Sequence, residues 1–346
     1  MKKRISLLLA GLLMLAGCGT DTSAAVQAVE SAVPEVSALP KEAAEGLEQV
    51  SSAIDDTLAK EELGQALSLK ILAPNGAPAL VLLPVAAMGG DVTFVDGADA
   101  LQAAFVNPTP EYDVIVAPSN LGMKLAAADK TGYRMLGIVT WGNLYTVGKA
   151  DLSADPSTWT KVAAFGEQSV TGIIFKKLYG DKIPENAITW YNSTAEAAAA
   201  LLSGEADVAM LAEPNATASI GKAKQNGLDL KVLTDLQKDY GEGGFPQAAL
   251  FVRKDKYDEN SEVFNHLLSS ISEIAKYHTA LSEEYLVAEI NEAGGAEKFG
   301  IPSAEIAAKT WAKLNINPSF AKDHIDELKA YGTLFGIDDI TNAVIQ

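Results

Sequence analysis

The sequence predicts an α/β protein of two similar lobes joined by two crossover strands, with C-terminal helices packed on lobe one. Three observations point there. The first is a repeat: residues 188–215 read ITWYNSTAEAAAALLSGEADVAMLAEPN, and residues 92–120 read VTFVDGADALQAAFVNPTPEYDVIVAPSN. Each copy is a short β-rich run, a polar break, an Ala-rich helix, and an Asp that opens an apolar strand ending at a Pro-containing loop. Ile71 matches Val162, Val92 matches Ile188 and Asp113 matches Asp207 at nearly one offset, so each half is a βαβαβ unit. That period is far too long for a solenoid. The second observation is that largely apolar runs such as 67–73, broken only by Ser68 and Lys70, suit buried parallel strands. The third is that apolar residues turn to helical spacing from residue 261 onward.

Composition agrees. With 346 residues the chain has room for two domains of the usual ~150 residues. At 48% hydrophobic and 21% charged it is globular in character. A formal charge of −18 argues against a nucleic-acid partner, which needs a basic face.

The chain starts with targeting grammar. Lys2, Lys3 and Arg4 precede an apolar run at 5–16 that is too short to span a bilayer and is followed by small residues. Residues 1–17 are therefore a signal peptide. The ending Leu15-Ala16-Gly17-Cys18 resembles a bacterial lipobox, in which the Cys becomes the lipidated first residue. Cys18 is also the only cysteine, so the body forms no internal disulfide. The expectation is an exported chain held by lipid on the extracytoplasmic face of the cell membrane.

Residues 18–65 read as a tether rich in Ala, Ser, Glu and Val. Within it Leu47, Val50, Ile54 and Leu58 are spaced for an amphipathic helix over 41–63, which carries no assigned function. Lobe one is expected over 66–143 plus 251–346, and lobe two over 144–250. In lobe one the strands fall at 67–73, 92–95, 113–117 and 134–140. Its helices fall at 79–87, opened by Pro78 in the first turn, then at 98–105 and 121–128. A polar interruption at 141–147 marks the first crossing. Lobe two repeats the scheme with strands at 161–165, 188–191, 208–212 and 230–234, and helices at 170–179, 194–202 and 216–225. Gly241, Gly243 and Gly244 form a flexible loop before the return crossing at 245–252. Helices at 261–278, 282–293, 303–314 and 321–335 complete the chain.

In open parallel sheets ligands sit beyond the carboxyl ends of the strands. The candidate contacts there are Asn75, Gly76, Ala77 and Pro78, then Ser119 and Asn120, then Gln168, Ser169 and Thr171, and finally Glu213 and Asn215. Each loop leads into a helix whose free N–H groups favour polar or anionic groups. Ser119, Asn120, Ser169 and Asn215 are equally ordinary N-cap types. Trp141, Asn143 and Phe245 lie at the crossings, where an aromatic ring can stack on a ligand or fill the core beneath it.

Enzyme signals are poor. His266, His278 and His324 have no metal-ligand spacing, and no G-x-S-x-G, G-x-G-x-x-G or P-loop motif occurs. Arg occurs only at positions 4, 134 and 253, so no guanidinium clamp is expected in the site. No catalysis, cofactor or metal is expected.

The lipobox at Cys18, the duplicated halves, ADVAMLAEP at 206–214 and FPQAALFV at 245–252 together resemble the solute-binding lipoproteins of bacterial ABC importers. The group resembled is that of the type II binding proteins for thiamine-pyrimidine precursors, alkanesulfonates and nitrate. The resemblance implies two lobes that close over one small molecule, hinges near 141–147 and 241–250, a monomer, and permease subunits as partners. It places binding loops on Asn75 to Pro78, Ser119 and Asn120, Trp141 to Asn143, Ser169 to Thr171, and Glu213 to Asn215. The lack of Arg or His on those loops departs from an inorganic-anion binder. The ligand expected is a neutral or cationic heterocycle such as an aminopyrimidine, stacked on Trp141 with its amine on Glu213. The alternatives are a sulfonate or other small organic anion at the helix N-termini, or a sensory or structural lipoprotein with no transport role.

Overall fold

The computed structural model describes residues 63–346. The signal peptide, Cys18, nearly all of the tether and all but the end of the 41–63 helix lie outside the described residues. The chain begins its first sheet with β1 (Ile71–Pro74), α1 (Ala77–Leu80), α2 (Leu83–Ala87), β2 (Val92–Val95), α3 (Ala98–Val106), β3 (Val114–Pro118), α4 (Ser119–Ala127) and β4 (Tyr133–Thr140). It then crosses as β5 (Leu144–Lys149). Lobe two adds β6 (Val162–Phe165), α5 (Val170–Tyr179), β7 (Ile188–Tyr191), α6 (Thr194–Ser203), β8 (Val208–Ala212), α7 (Asn215–Gln225), β9 (Leu230–Asp235) and α8 (Leu236–Tyr240). The chain returns as β10 (Ala248–Arg253). It ends with α9 (Lys254–Glu259), α10 (Ser261–Ala280), α11 (Glu283–Glu292), α12 (Gly295–Lys298), α13 (Ala304–Lys309), β11 (Ile316–Phe320) and α14 (Ile325–Thr333).

The strand orders are β2-β1-β3-β10-β4-β11 in the first sheet and β7-β6-β8-β5-β9 in the second. The repeat holds at the level of register. Ile71 lies opposite Val92 and Val114 in one sheet, and its match Val162 lies opposite Ile188 and Val208 in the other. In each lobe the next strand arrives from the other lobe and runs antiparallel. Ala248 of β10 pairs with Pro118, and Leu144 of β5 pairs with Ala212. The lobes therefore exchange one strand each.

Burial explains the apolar runs. Ile71, Ala73, Val114 and Val116 point into one core while Leu72, Ile115 and Ala117 point into the other, the period-two alternation of a strand covered on both faces. On α10, Phe264, Leu267, Leu268, Ile271 and Ile274 recur at helical spacing and pack on the first of those faces. Each such fully buried side chain contributes about 1.5–3 kcal/mol. The C-terminal helices thus cover lobe one, as expected.

Five local expectations change. The strand expected at 67–73 begins only at Ile71, because residues 67–69 turn out of the preceding helical end and the Lys70 amide is taken by the Asp113 side chain. The helix expected at 79–87 is two short helices, because Pro84 supplies no N–H to continue the first and instead opens the second. The helix expected at 303–314 ends at Lys309 and gives way to a 3-10 turn at Trp311–Lys313. Residues 316–320 were not expected to be a strand. They pair with β4 at the sheet edge, Ile316 with Thr140 and Phe320 with Gly137, where Pro318 is tolerated. The helix expected from 321 opens as a 3-10 turn and becomes α14 only at Ile325.

Candidate functional site

The loops at the ends of β3 and β8 rest on the two crossings. The Ser119 amide donates to the Gln247 carbonyl at 3.1 Å, and the Glu213 amide donates to the Asn143 carbonyl at 2.9 Å. Asn143 and Gln247 are themselves joined. The Gln247 side-chain oxygen accepts from the Asn143 amide at 3.0 Å, and its NH2 donates to Asn143 Oδ1 at 2.9 Å. Asn143 Nδ2 donates back to the Glu213 carbonyl at 2.9 Å. One pair of amide side chains therefore fastens both crossings and both loops together.

The lobe-one side is rich in unpaired oxygen. Helix α4 begins at Ser119 with Pro118 as its N-cap and no side-chain cap, so its first N–H groups have no side-chain acceptor. Ser119 is fully buried, and its Oγ has no hydrogen-bond partner. The Oδ1 of Asn75, just past β1, and the Oγ1 of Thr140, at the end of β4, are buried and unpartnered too. Asn75 Nδ2 donates to Asp96 at 2.6 Å. The Gly76 amide is used by the Phe299 carbonyl at 2.8 Å, and Ala77 and Pro78 form the first turn of α1, with Ala77 buried. Asn120 is half-buried on the first turn of α4. A buried polar group left unpaired costs about 1–3 kcal/mol, so three at the carboxyl ends of β1, β3 and β4 call for a partner.

The lobe-two side is already satisfied. Glu213 is buried, and its carboxylate accepts from the Thr217 amide at 3.0 Å and the Thr217 hydroxyl at 2.8 Å. It thereby caps α7 from within the protein. Lys313 Nζ lies 3.7 Å from the same carboxylate. Asn215 opens α7, and its carbonyl accepts from Ser219 at 2.8 Å. In the loop after β6, Ser169 Oγ donates to the Gly166 carbonyl at 2.7 Å and Thr171 Oγ1 to the Phe165 carbonyl at 3.1 Å, so both hydroxyls brace the turn. Glu167 pairs with Lys176 at 2.7 Å, and Gln168 is exposed. Among the described residues, no buried unpartnered side-chain oxygen or nitrogen lies in lobe two.

The aromatic candidates are core residues, not open plates. Trp141 is only 8% exposed, donates its indole N–H to the Asn317 carbonyl at 3.0 Å, and meets the His324 ring edge-to-face at 4.8 Å. Phe245 is fully buried against Tyr240. Between them Gly142 sits at φ 91°, where an added Cβ would lie 2.6 Å from Gln237 and 2.7 Å from Phe245. Only glycine fits there. Sequence reasoning missed Gln237, Gln247, Lys313 and Asn315. Gln237 Oε1 accepts from the Leu144 amide, and Asn315 Nδ2 donates to the Gly142 carbonyl, both at 2.6 Å. Gln247 stood in the FPQAALFV run, but nothing local marks a side chain whose partner lies 104 residues away.

Burial, then the charges of Asp235 and Glu213, pushes the Tyr145 hydroxyl well above the usual tyrosine range, so it remains a protonated donor beside Glu213. Among the described residues no group of three or more His, Cys, Asp or Glu could hold a metal ion. No helix among them is long and apolar enough to cross a membrane.

The same overall fold recurs among solved structures. An ABC transporter structure from Parabacteroides distasonis superposes with a TM-score of 0.62 at 19% identity, covering 80% of this chain and 94% of that one. The periplasmic aliphatic sulphonate binding protein SsuA of Escherichia coli gives 0.58 at 16% identity, covering 81% and 92%. The alkanesulfonate-binding protein SsuA of Xanthomonas axonopodis pv. citri, bound to MOPS, gives 0.53 at 17% identity, covering 80% and 96%. The chain has the type II periplasmic-binding-protein fold. Neither a family model nor a curated protein matches its sequence.

Proposed function

We propose that this protein is the solute-capturing component of an ABC importer, and that its solute is a small organic molecule carrying a compact anionic group. The fold shared with ABC transporter and sulphonate-binding structures supports the first part. The observation that carries the second is the start of α4. A helix N-terminus without a side-chain cap favours an anion, and the buried, unpartnered Ser119 hydroxyl beside it can donate one more hydrogen bond. Missing arginines do not oppose this, because backbone N–H groups hold sulfonate or phosphate oxygens without them. The aminopyrimidine expected from Trp141 and Glu213 loses its support. The indole is enclosed, and the carboxylate is engaged by Thr217.

A thermal-shift panel tests the reading. An organic sulfonate such as MOPS, small carboxylates, aminopyrimidines and inorganic oxyanions are each added at millimolar concentration. A solute at 100 times its Kd stabilises by about 2.7 kcal/mol, on the order of 5 °C in Tm. Shifts from organic anions are expected; a shift from aminopyrimidines alone overturns the anion assignment. In the same reading Cys18 carries a lipid anchor that holds the monomeric protein on the outer face of the cell membrane beside its permease. Cys18→Ser then moves the chain from the membrane fraction to the soluble one, and unchanged membrane retention refutes the anchor.

A further inference from the structure

Residues 313–317, from the end of the Trp311–Lys313 turn into β11, touch the first crossing and lobe two at five points. The Trp141 amide donates to the Asn315 carbonyl at 3.0 Å, and the indole donates to the Asn317 carbonyl at 3.0 Å. Asn315 Nδ2 donates to the Gly142 carbonyl at 2.6 Å. Tyr145, on the lobe-two strand β5, donates its hydroxyl to the Lys313 carbonyl at 3.3 Å. The Lys313 ammonium stands 3.7 Å from the carboxylate of Glu213, at the start of α7. The segment itself belongs to lobe one. Trp311 packs with Ala77, Leu80 and Leu286, and β11 pairs with β4.

The charges are unequally placed. The Glu213 side chain is fully enclosed, whereas Lys313 is 52% exposed. A buried carboxylate relies on its few partners, because water is not at hand to replace them. Rotating lobe two away from lobe one at Gly142 would withdraw Glu213 from its cation. The Thr217 bonds would remain, since Glu213 lies two residues before α7 and moves with Thr217 on that helix.

We propose that Lys313 and Glu213 form an interlobe latch, and that the 313–317 strap positions it to hold the two lobes in the arrangement seen here before any solute arrives. Lys313 is thus a positioning residue for capture and makes no solute contact. A protein already biased toward the capturing arrangement loses less apparent affinity to the rare-state penalty. The latch rests on the two-lobe capture reading but not on the solute's chemistry.

The test needs no solute. Spin labels are placed at the exposed positions Ala103 on α3 and Lys177 on α5, one per lobe, in full-length Cys18→Ser protein, and the distance distribution is read by pulsed electron resonance. Lys313→Gln is expected to broaden and shift the distribution, and Glu213→Gln to do the same. The double variant should go no further than either single, because both remove one interaction. Thr217→Val, which removes the capping hydroxyl but keeps the ion pair, should leave the distribution as in the parent. An unchanged distribution in Lys313→Gln, or effects that simply add in the double, overturns the latch. So does a shift in Thr217→Val as large as that in Lys313→Gln, since the effect would then come from α7 and not from the pair. Failure of the solute reading would appear only in the thermal-shift panel, so the two can fail separately.

Discussion

Helix α4 in lobe one and helix α7 in lobe two occupy equivalent places in the repeat, yet their first turns are opposites. Pro118 and Ala212 end equivalent strands, so Ser119 and Glu213 hold the same position one residue on. In lobe two that position brings its own carboxylate to the helix N-terminus and binds Thr217 with it. In lobe one it brings a hydroxyl with no partner. Duplication makes two anion-favouring helix ends, and the sequence then closes one of them from inside. The lesson is a division of labour. On the proposed reading lobe one is left to receive charge from outside, while lobe two carries a fixed charge that meets a lysine from lobe one.

The most damaging way to erase this difference is Ser119→Asp, which makes lobe one resemble lobe two. The new carboxylate would fill the α4 N-terminus and repel an incoming anion. The Tm shift produced by organic sulfonates or carboxylates should disappear, while the folded protein keeps its circular dichroism. If the shift survives at full size, the solute's charge does not dock at α4.

Removing the internal carboxylate has a smaller effect. Glu213→Ala strips the cap from α7 and leaves the Thr217 hydroxyl and amide without their partner, for a loss of about 1–3 kcal/mol. Ser119→Ala removes an oxygen that bonds to nothing, so it should cost under about 1 kcal/mol without solute. Urea midpoints compare the two. Equal losses would show that the lobes do not differ in the way the hydrogen bonds indicate.

The mildest test reads the buried tyrosines of both lobes, and Tyr145 beside Glu213 in particular. Burial raises the hydroxyls of Tyr133, Tyr145 and Tyr179 above the tyrosine range, and at Tyr145 the charges of Asp235 and Glu213 add to it. A folded pKa above the unfolded value of about 10 means the contribution is complete below pH 10 and is lost as pH rises further. Phenolate absorbance should therefore lag in the folded protein between pH 10 and 11. Glu213→Gln should shorten that lag only slightly and only at Tyr145, where burial and the charge of Asp235 remain. Tyrosines that all titrate near pH 10 while the protein remains folded would refute the assignment.

The duplicated architecture was legible because its cause is local and repeated. Strands covered on both faces must be apolar at every position, and each is followed by a loop and an Ala-rich helix at matching distance. The C-terminal helices were legible from periodicity on α10. The strand β11 was not, because Ile-Asn-Pro-Ser-Phe has neither alternation nor propensity, and only the open edge of β4 makes it a strand.

The sequence by itself determined two α/β halves, helix N-termini gathered at strand ends, and candidate loops without arginine, histidine or cysteine. Those properties follow from residue type and near-neighbour spacing. Tertiary structure alone decided what each polar group does. Asn143 looked like a ligand contact until Gln247 and Glu213 took its bonds. Glu213 looked free until Thr217 took its carboxylate. Trp141 looked like an open ring until residues 315–317 and His324 covered it. A hydrogen-bond donor or acceptor shows its type in the sequence, but its partner is chosen by which segments the fold brings within about 3 Å.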